Sequence, residues 1–143
     1  MKLTSPEFEH NKFIPKNFSC LGKDINPTLN IQNIPKDAQS LVLIVDDPDA
    51  PAGTWVHWVV YDIPVTSIIA ENSIPGIQGH NDFKRINYGG PCPPSGTHRY
   101  FFKLYALDTK FNFPEGKTKS QIEQAMEGHI LEKTELIGLF SKK

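Results

Sequence analysis

Two short segments of the chain carry ionisable side chains beside backbone that proline holds rigid. Residues 46–51 read Asp-Asp-Pro-Asp-Ala-Pro, and residues 89–100 read Gly-Gly-Pro-Cys-Pro-Pro-Ser-Gly-Thr-His-Arg-Tyr. Each segment adjoins a strand-like run, so a folded sheet would hold its side chains in fixed positions. Carboxylates and imidazoles mounted in this way favour a preformed pocket for a small polar ligand.

Asp47 and Asp49 flank a proline at the end of a predicted strand. An extended backbone would point both side chains roughly the same way. Because adjacent carboxylates repel each other, a shared site needs a metal, a cation or hydrogen-bond donors nearby. The alternative is an Asp-Pro turn with solvated side chains, since both residue types are common in turns.

Two histidines occupy informative places. His57 interrupts the otherwise apolar run from Trp55 to Ile63, and a buried imidazole costs free energy unless it finds a partner. Its alternative role is that of a core histidine with satisfied hydrogen bonds. His98 begins a strand directly after the Gly/Pro loop, where side chains often face a pocket. Arg99 lies on the opposite face of that strand, and we expect it to form a structural ion pair.

The loop of residues 89–96 is stiffened by three prolines, which lack an N–H group. Its hydrogen-bond donors are therefore limited to a few positions, and its glycines allow a ligand to approach the backbone closely. A stiff loop loses little conformational entropy on binding. The Gly-x-x-x-x-Gly-Lys-Ser/Thr pattern is absent, so this is not a P-loop.

The elements that must position these groups are mainly strands. Apolar and β-branched runs predict strands over Ser40–Val45, Trp55–Ile63 and His98–Asp108, with weaker ones near Leu3–Phe8, Leu29–Ile31 and Leu136–Phe140. Strict alternation in the second run places one set of side chains on a common face: Trp55, His57, Val59, Tyr61 and Ile63.

One helix is predicted near the C-terminus. Thr118 and Gln121 fit a capping box. Side chains suited to an inner face then follow at spacings of three, four, seven and eight: Ile122, Ala125, Met126, His129 and Ile130. Residues 1–143 are therefore expected to form a single, mainly β domain with one helix near its end.

Composition excludes several classes of protein. The 143 residues carry a net charge of −1, so no whole-chain field attracts nucleic acid or an anionic membrane. No apolar run approaches the ~20 residues of a transmembrane helix, and no stretch resembles a signal peptide. Two cysteines do not make a disulfide framework, so Cys20 and Cys92 are read as reduced thiols of a cytoplasmic protein. A bridge between them, or a reactive Cys92, is the alternative.

Taken together, the motifs form a specific set. Asp-Pro-Asp-Ala-Pro, a histidine within a Trp-containing strand, and Gly-Gly-Pro-Cys-Pro-Pro with His-Arg-Tyr occur in this order. The chain resembles the phosphatidylethanolamine-binding protein family, in its bacterial and archaeal Raf-kinase-inhibitor-like branch. Further matching stretches, such as Gly-His-Asn-Asp-Phe at 79–83 and Leu-Tyr-Ala-Leu-Asp at 104–108, extend the resemblance over nearly the whole chain.

The resemblance implies a large antiparallel sheet packed with a smaller one, with helices outside. It implies a cis bond between Ala50 and Pro51, and a small anion pocket at one end of the fold. It implies no cofactor, no metal and no catalysis. The pocket residues carried over by position are Asp47, Asp49, Pro51, Trp55, His57, Gly90, Pro91, His98 and Tyr100.

The expected ligand is a phosphate monoester or a phosphorylated lipid head group such as phosphoethanolamine. Backbone N–H groups near Gly90 and the nitrogens of His57 and His98 would donate to it, and an aspartate would hold one imidazole in place. Two other functions stay open: inhibition of a protease or kinase through a protein surface, and metal-dependent phosphoester hydrolysis by the two Asp and two His. Family relatives also suggest a homodimer.

Overall fold

A computed structural model describes residues 1–142, which form two β-sheets and one α-helix. The elements are β1 (Lys2–Thr4), β2 (Lys12–Phe13), a 3-10 turn (Lys16–Phe18), β3 (Leu29–Gln32), β4 (Ser40–Asp47), β5 (Trp55–Ile63), β6 (Ile68–Ile69), β7 (Ile77–Gln78), β8 (Thr97–Leu107), α1 (Lys119–Met126) and β9 (Ile130–Ser141).

The six-stranded sheet has the order β2-β9-β8-β4-β5-β7, and the three-stranded sheet has the order β1-β3-β6. Neighbouring strands are antiparallel except for β2 and β9, which are parallel. The predicted mainly β class is confirmed.

Strand β4 lies inside the large sheet, and all eight of its residues are buried. Leu43 and Val45 face the small sheet, whereas Val42 and Ile44 face the helix side. A strand covered on both faces reads as a continuous apolar run rather than an alternating one. The run Ser-Leu-Val-Leu-Ile-Val is therefore explained by a layered fold of small sheet, large sheet and helix.

Strand β5 departs from strict alternation at His57. Val45 pairs with Trp58, but the next residue, Asp46, pairs with Val56. His57 is therefore an extra residue on β5 that has no pairing partner on β4, which is the arrangement of a β-bulge. The bulge turns the His57 ring toward the side of the large sheet that Trp58 also faces.

A second irregularity, near Asp62 with its positive φ of 50°, shifts the phase of β5 again. The predicted common face for β5 is consequently wrong, because each bulge adds one residue to a period of two. The small-sheet side receives Trp58, Val60 and Ile63, and the helix side receives Val56, Val59 and Tyr61.

Helix α1 begins as its capping box predicts. The Gln121 N–H donates to Thr118 Oγ1 at 3.2 Å, and the Thr118 N–H donates to Gln121 Oε1 at 3.0 Å. Ile122 and Met126 are buried on its inner face. The prediction that His129 shares this face is wrong: the helix ends first, and the exposed His129 ring contacts an Asp108 carboxylate at 2.8 Å. No helix within residues 1–142 is long and apolar enough to cross a bilayer.

Cys20 and Cys92 form a disulfide, with their Cα atoms 5.4 Å apart. The expectation of two reduced thiols is therefore wrong, and it can no longer support a cytoplasmic location. The two segments are also joined by hydrogen bonds: the Cys20 N–H donates to the Pro91 carbonyl at 3.1 Å, and the Tyr88 hydroxyl donates to the Phe18 carbonyl at 2.7 Å. These contacts between distant segments had no signal in the local sequence.

The expected cis bond between Ala50 and Pro51 is also wrong, because residues 1–142 contain no cis peptide bond. The chain reverses here by other means. The Asp49 N–H donates to Asp47 Oδ1 at 2.7 Å, and the Gly53 N–H donates to the Ala50 carbonyl at 3.1 Å. Gly53 has a φ of 109°, which glycine adopts without a steric cost.

Candidate functional site

A cavity of about 240 Å³ opens at one edge of the large sheet. The C-terminal end of β4 and the N-terminal ends of β5 and β8 meet at this edge, because β4 is antiparallel to both neighbours. Side chains distant in sequence are thereby brought together. The lining consists of Asp47, Ala50, Pro51, Trp55, His57, Phe83, Cys92, Pro93, Pro94, His98 and Tyr100.

A buried Asp–His pair forms one side of the cavity. Asp47 Oδ2 lies 2.7 Å from His98 Nδ1, and both residues are buried. Because a carboxylate accepts hydrogen bonds, Nδ1 carries the hydrogen and Nε2 is the nitrogen left for a ligand. The His98 ring also stacks on Tyr100, with ring centroids 6.5 Å apart. The pair therefore fixes both the tautomer and the orientation of this imidazole.

The second imidazole is held differently. His57 Nδ1 lies 2.7 Å from the Gly89 carbonyl oxygen, which can only accept a hydrogen bond. Its ring meets Phe83 and Tyr100 edge-on, with centroids 5.2 Å away in both cases. Burial lowers the pKa of His57, and the smaller opposing effects of the Gly89 carbonyl and Asp47 do not reverse this. In its neutral form His57 presents a lone pair at Nε2.

Because His57 is buried, we expect the free energy of unfolding to fall at acid pH. The folded-state pKa of His57 lies below its usual value of 6.5, so the unfolded chain binds the proton more readily. The contribution of His57 is complete above pH 6.5 and is lost as the pH falls toward the folded-state pKa. We expect the free energy of unfolding to decline as the pH falls below 6.5, and to decline less in His57→Gln. Urea unfolding across this range measures both slopes, and parallel slopes would refute the assignment.

The hydroxyl of Tyr100 is the unusual group of the cavity. The side chain is 1% exposed, and its hydroxyl oxygen is closed to solvent and makes no hydrogen bond of good geometry within residues 1–142, although the Asp47 carboxylate and the Cys92 backbone lie beside it. Burial raises the pKa of Tyr100, and the charge of Asp47 raises it further, so the O–H stays protonated. Buried polar groups are nearly always paired, and the neighbouring Asp47 carboxylate is the acceptor available to this hydroxyl.

The two predicted carboxylates do not share the cavity. Asp49 points outward, where its oxygens accept two hydrogen bonds from the Arg99 guanidinium, each 2.9 Å long. This contact holds the pKa of Asp49 below its usual value. The ion-pair role expected for Arg99 is therefore confirmed, and Asp47 is left as the cavity's carboxylate. Within the described chain, no group of three or more His, Cys, Asp and Glu residues is placed to hold a metal ion.

Gly90 and Pro91 also lie outside the cavity lining. The Gly90 N–H donates to Asp24 Oδ1 at 2.7 Å, so it is already engaged. A Cβ atom at this position would meet the Phe18 carbonyl oxygen and lie 2.6 Å from Asp24 Oδ1. Glycine is required here because two segments approach closely. Of the nine predicted pocket residues, the structure brings six to the cavity: Asp47, Pro51, Trp55, His57, His98 and Tyr100.

The aromatic wall formed by Phe83 was missed. Its loop is built around Asn81, which is 5% exposed. The Asn81 side chain donates to the carbonyls of His57 (3.2 Å) and Asn87 (2.7 Å), and it accepts from the Phe83 and Arg85 N–H groups. Residues 81–82 read as an ordinary turn in the sequence. The matching stretch at 79–83 was the available signal, but it did not indicate that the loop contacts the cavity.

The chain is similar to known proteins over nearly its whole length. The family model described as phosphatidylethanolamine-binding protein matches residues 4–141. A UPF0098 protein of Pyrococcus abyssi is 47% identical over 154 residues, covering 100% of this chain and 86% of the relative. One from Chlamydia trachomatis is 46% identical over 149 residues and covers 99% of both chains.

Two crystal structures share the fold. A phosphatidylethanolamine-binding protein homologue from Chlamydia trachomatis matches with a TM-score of 0.95 and 45% identity, covering 99% of this chain and 97% of the other. YbcL of Escherichia coli, described as a member of the mammalian family, matches with a TM-score of 0.91 and 26% identity, covering 99% and 98%. The chain belongs to the phosphatidylethanolamine-binding protein family.

Proposed function

We propose that this protein is a non-catalytic binding protein whose cavity takes a phosphate-bearing small molecule or head group, such as phosphoethanolamine. The observation that carries the proposal is the convergence of two anchored imidazoles, those of His57 and His98, on one cavity. Family membership supports a binding role. The volume of about 240 Å³ suits a head group better than a whole lipid.

The donors of the cavity match the oxygens of a phosphate group. In its protonated form His98 presents an N–H at Nε2, which can donate to a phosphate oxygen. Pro51, Trp55 and Phe83 form apolar walls, which lower the local dielectric constant and strengthen each polar contact. The Gly90 N–H, expected to contribute, is already bonded to Asp24.

Binding is favoured over catalysis by the composition of the lining. Covalent catalysis by an Asp–His pair needs a nucleophile that the histidine can activate. The cavity lining contains no serine or threonine, and its one cysteine, Cys92, is bonded to Cys20. Asp47 and His98 therefore act as a fixed hydrogen-bonding unit.

Calorimetric titration with phosphoethanolamine at pH 6.0 tests the proposal. We expect saturable binding to the wild type and at least about tenfold weaker binding to His98→Asn, since a charge-assisted hydrogen bond is lost. The matched control is His80→Asn, because His80 is exposed, lies outside the cavity and bonds the Gly116 carbonyl at 2.7 Å. The absence of binding, or equal affinities for the folded His98→Asn and His80→Asn proteins, would refute the proposed function.

A further inference from the structure

We infer that the cavity selects phosphate groups that still carry a proton, and that it discriminates against oxyanions without one, such as sulfate. The inference rests on the proposed function and specifies the ionic form of its ligand. It follows from the direction in which His57 presents its lone pair.

The orientation of His57 is fixed from several sides. Its Nδ1–H donates to the Gly89 carbonyl at 2.7 Å, while its own carbonyl accepts from the Gly89 N–H at 3.0 Å. The Asn81 amide also donates to this carbonyl at 3.2 Å. A flipped ring would place carbon against the Gly89 oxygen and lose the hydrogen bond. Nε2 is thus the nitrogen that remains for the cavity.

No group of the described chain donates to His57 Nε2. The ring meets only aromatic edges on two sides, from Phe83 and Tyr100, and His57 is 3% exposed. Burial lowers the pKa of the His57 imidazole and so favours its neutral form. The cavity therefore contains, at His57 Nε2, an acceptor that lacks a protein donor, beside the His98 ring, whose Nε2 donates when that ring is protonated.

A ligand that satisfies all these groups needs both acceptor oxygens and a hydroxyl hydrogen. A phosphate monoester monoanion has both: its P–O–H can donate to His57 Nε2, and another of its oxygens can accept from protonated His98. A sulfate or sulfate monoester near neutral pH has only acceptors, so one oxygen would face the His57 lone pair. Leaving a buried acceptor unpaired reduces affinity roughly ten- to a hundredfold.

Four probes at pH 6.0 test this selectivity, because a phosphate monoester then retains its proton in a large share of molecules. We expect inorganic phosphate and phosphoethanolamine to bind at least about tenfold more tightly than sulfate and 2-aminoethyl sulfate, respectively. If phosphate and sulfate bind equally, the inference fails while the proposed function stands. If none of the four binds, the proposed function itself fails. Comparable binding of 2-aminoethyl sulfate and phosphoethanolamine would overturn the inference, since an ammonium would then supply the donor.

A variant and a spectroscopic readout assign the selectivity to His57. The amide of His57→Gln offers a donor as well as an acceptor, so we expect the phosphate-to-sulfate ratio to fall severalfold. His98→Asn should weaken both anions without this fall. In the wild type, the ¹⁵N resonance of His57 Nε2 should shift toward a hydrogen-bonded acceptor with phosphate. An unchanged ratio in folded His57→Gln, or an Nε2 resonance unmoved at phosphate saturation, would refute the assignment.

Discussion

Replacing Asp47 with alanine is expected to lower the free energy of unfolding by roughly 2–4 kcal/mol, because two hydrogen-bond donors lose their acceptor. The Asp47 carboxylate accepts from His98 Nδ1 and from the Asp49 N–H, both at 2.7 Å. Its loss leaves the buried His98 Nδ1–H and the part-buried Asp49 N–H without their acceptor. The affinity for phosphoethanolamine should fall with it, because His98 is no longer held in position.

Asp49→Ala is the matched control. It removes the same group two residues away, but Asp49 is exposed and its partner Arg99 is half-exposed. Such surface pairs contribute little to stability. Urea unfolding of both variants at pH 7, with calorimetric titration of phosphoethanolamine, measures the contrast. Equal losses of stability in the two variants would show that the buried Asp47–His98 pair contributes no more to stability than the exposed Asp49–Arg99 pair.

The second large effect is expected from the disulfide. The double variant Cys20→Ala/Cys92→Ala should be less stable than the oxidised wild type by about 4 kcal/mol, in line with the chain-entropy cost of closing a loop of this length. The bridged residues are 72 positions apart in the sequence. Without the disulfide, the unfolded chain has more conformations available to it, and non-covalent contacts alone must stabilise the fold.

Urea unfolding with and without dithiothreitol measures this contribution. The reductant should bring the wild type down to the stability of the double variant, and it should leave the double variant unchanged. Mass spectrometry after alkylation of the unfolded chain counts the free thiols in each sample. Two free thiols in the untreated wild type would contradict the bridge.

The strands and the helix could largely be predicted from local sequence, because their signals are local. The apolar run from Ser40 and the Thr118 capping box depend on neighbouring residues, and both elements form where expected. The internal phase of β5 could not be predicted in this way. Its bulges at His57 and Asp62 arise from pairing with β4, and a period of two cannot register an extra residue.

Spacing indicated several of the residues that line the cavity, but it did not indicate the partner of each one. Asp47 and Asp49 look equivalent in the sequence, yet the turn after β4 sends one inward to His98 and the other outward to Arg99. Gly90 was assigned to ligand binding, but the structure uses it for close approach to Asp24. Each error concerns a partner far away in the sequence, which spacing alone cannot identify.

The bridge between Cys20 and Cys92 makes a covalent ring of half the molecule. The ring contains β3 to β7, whereas β8, α1 and β9 belong to the tail that leaves it. The exposed turn at residues 51–54 lies within the ring. A protease that cuts there would produce two polypeptides that migrate together on a gel, and they would separate only after a thiol is added.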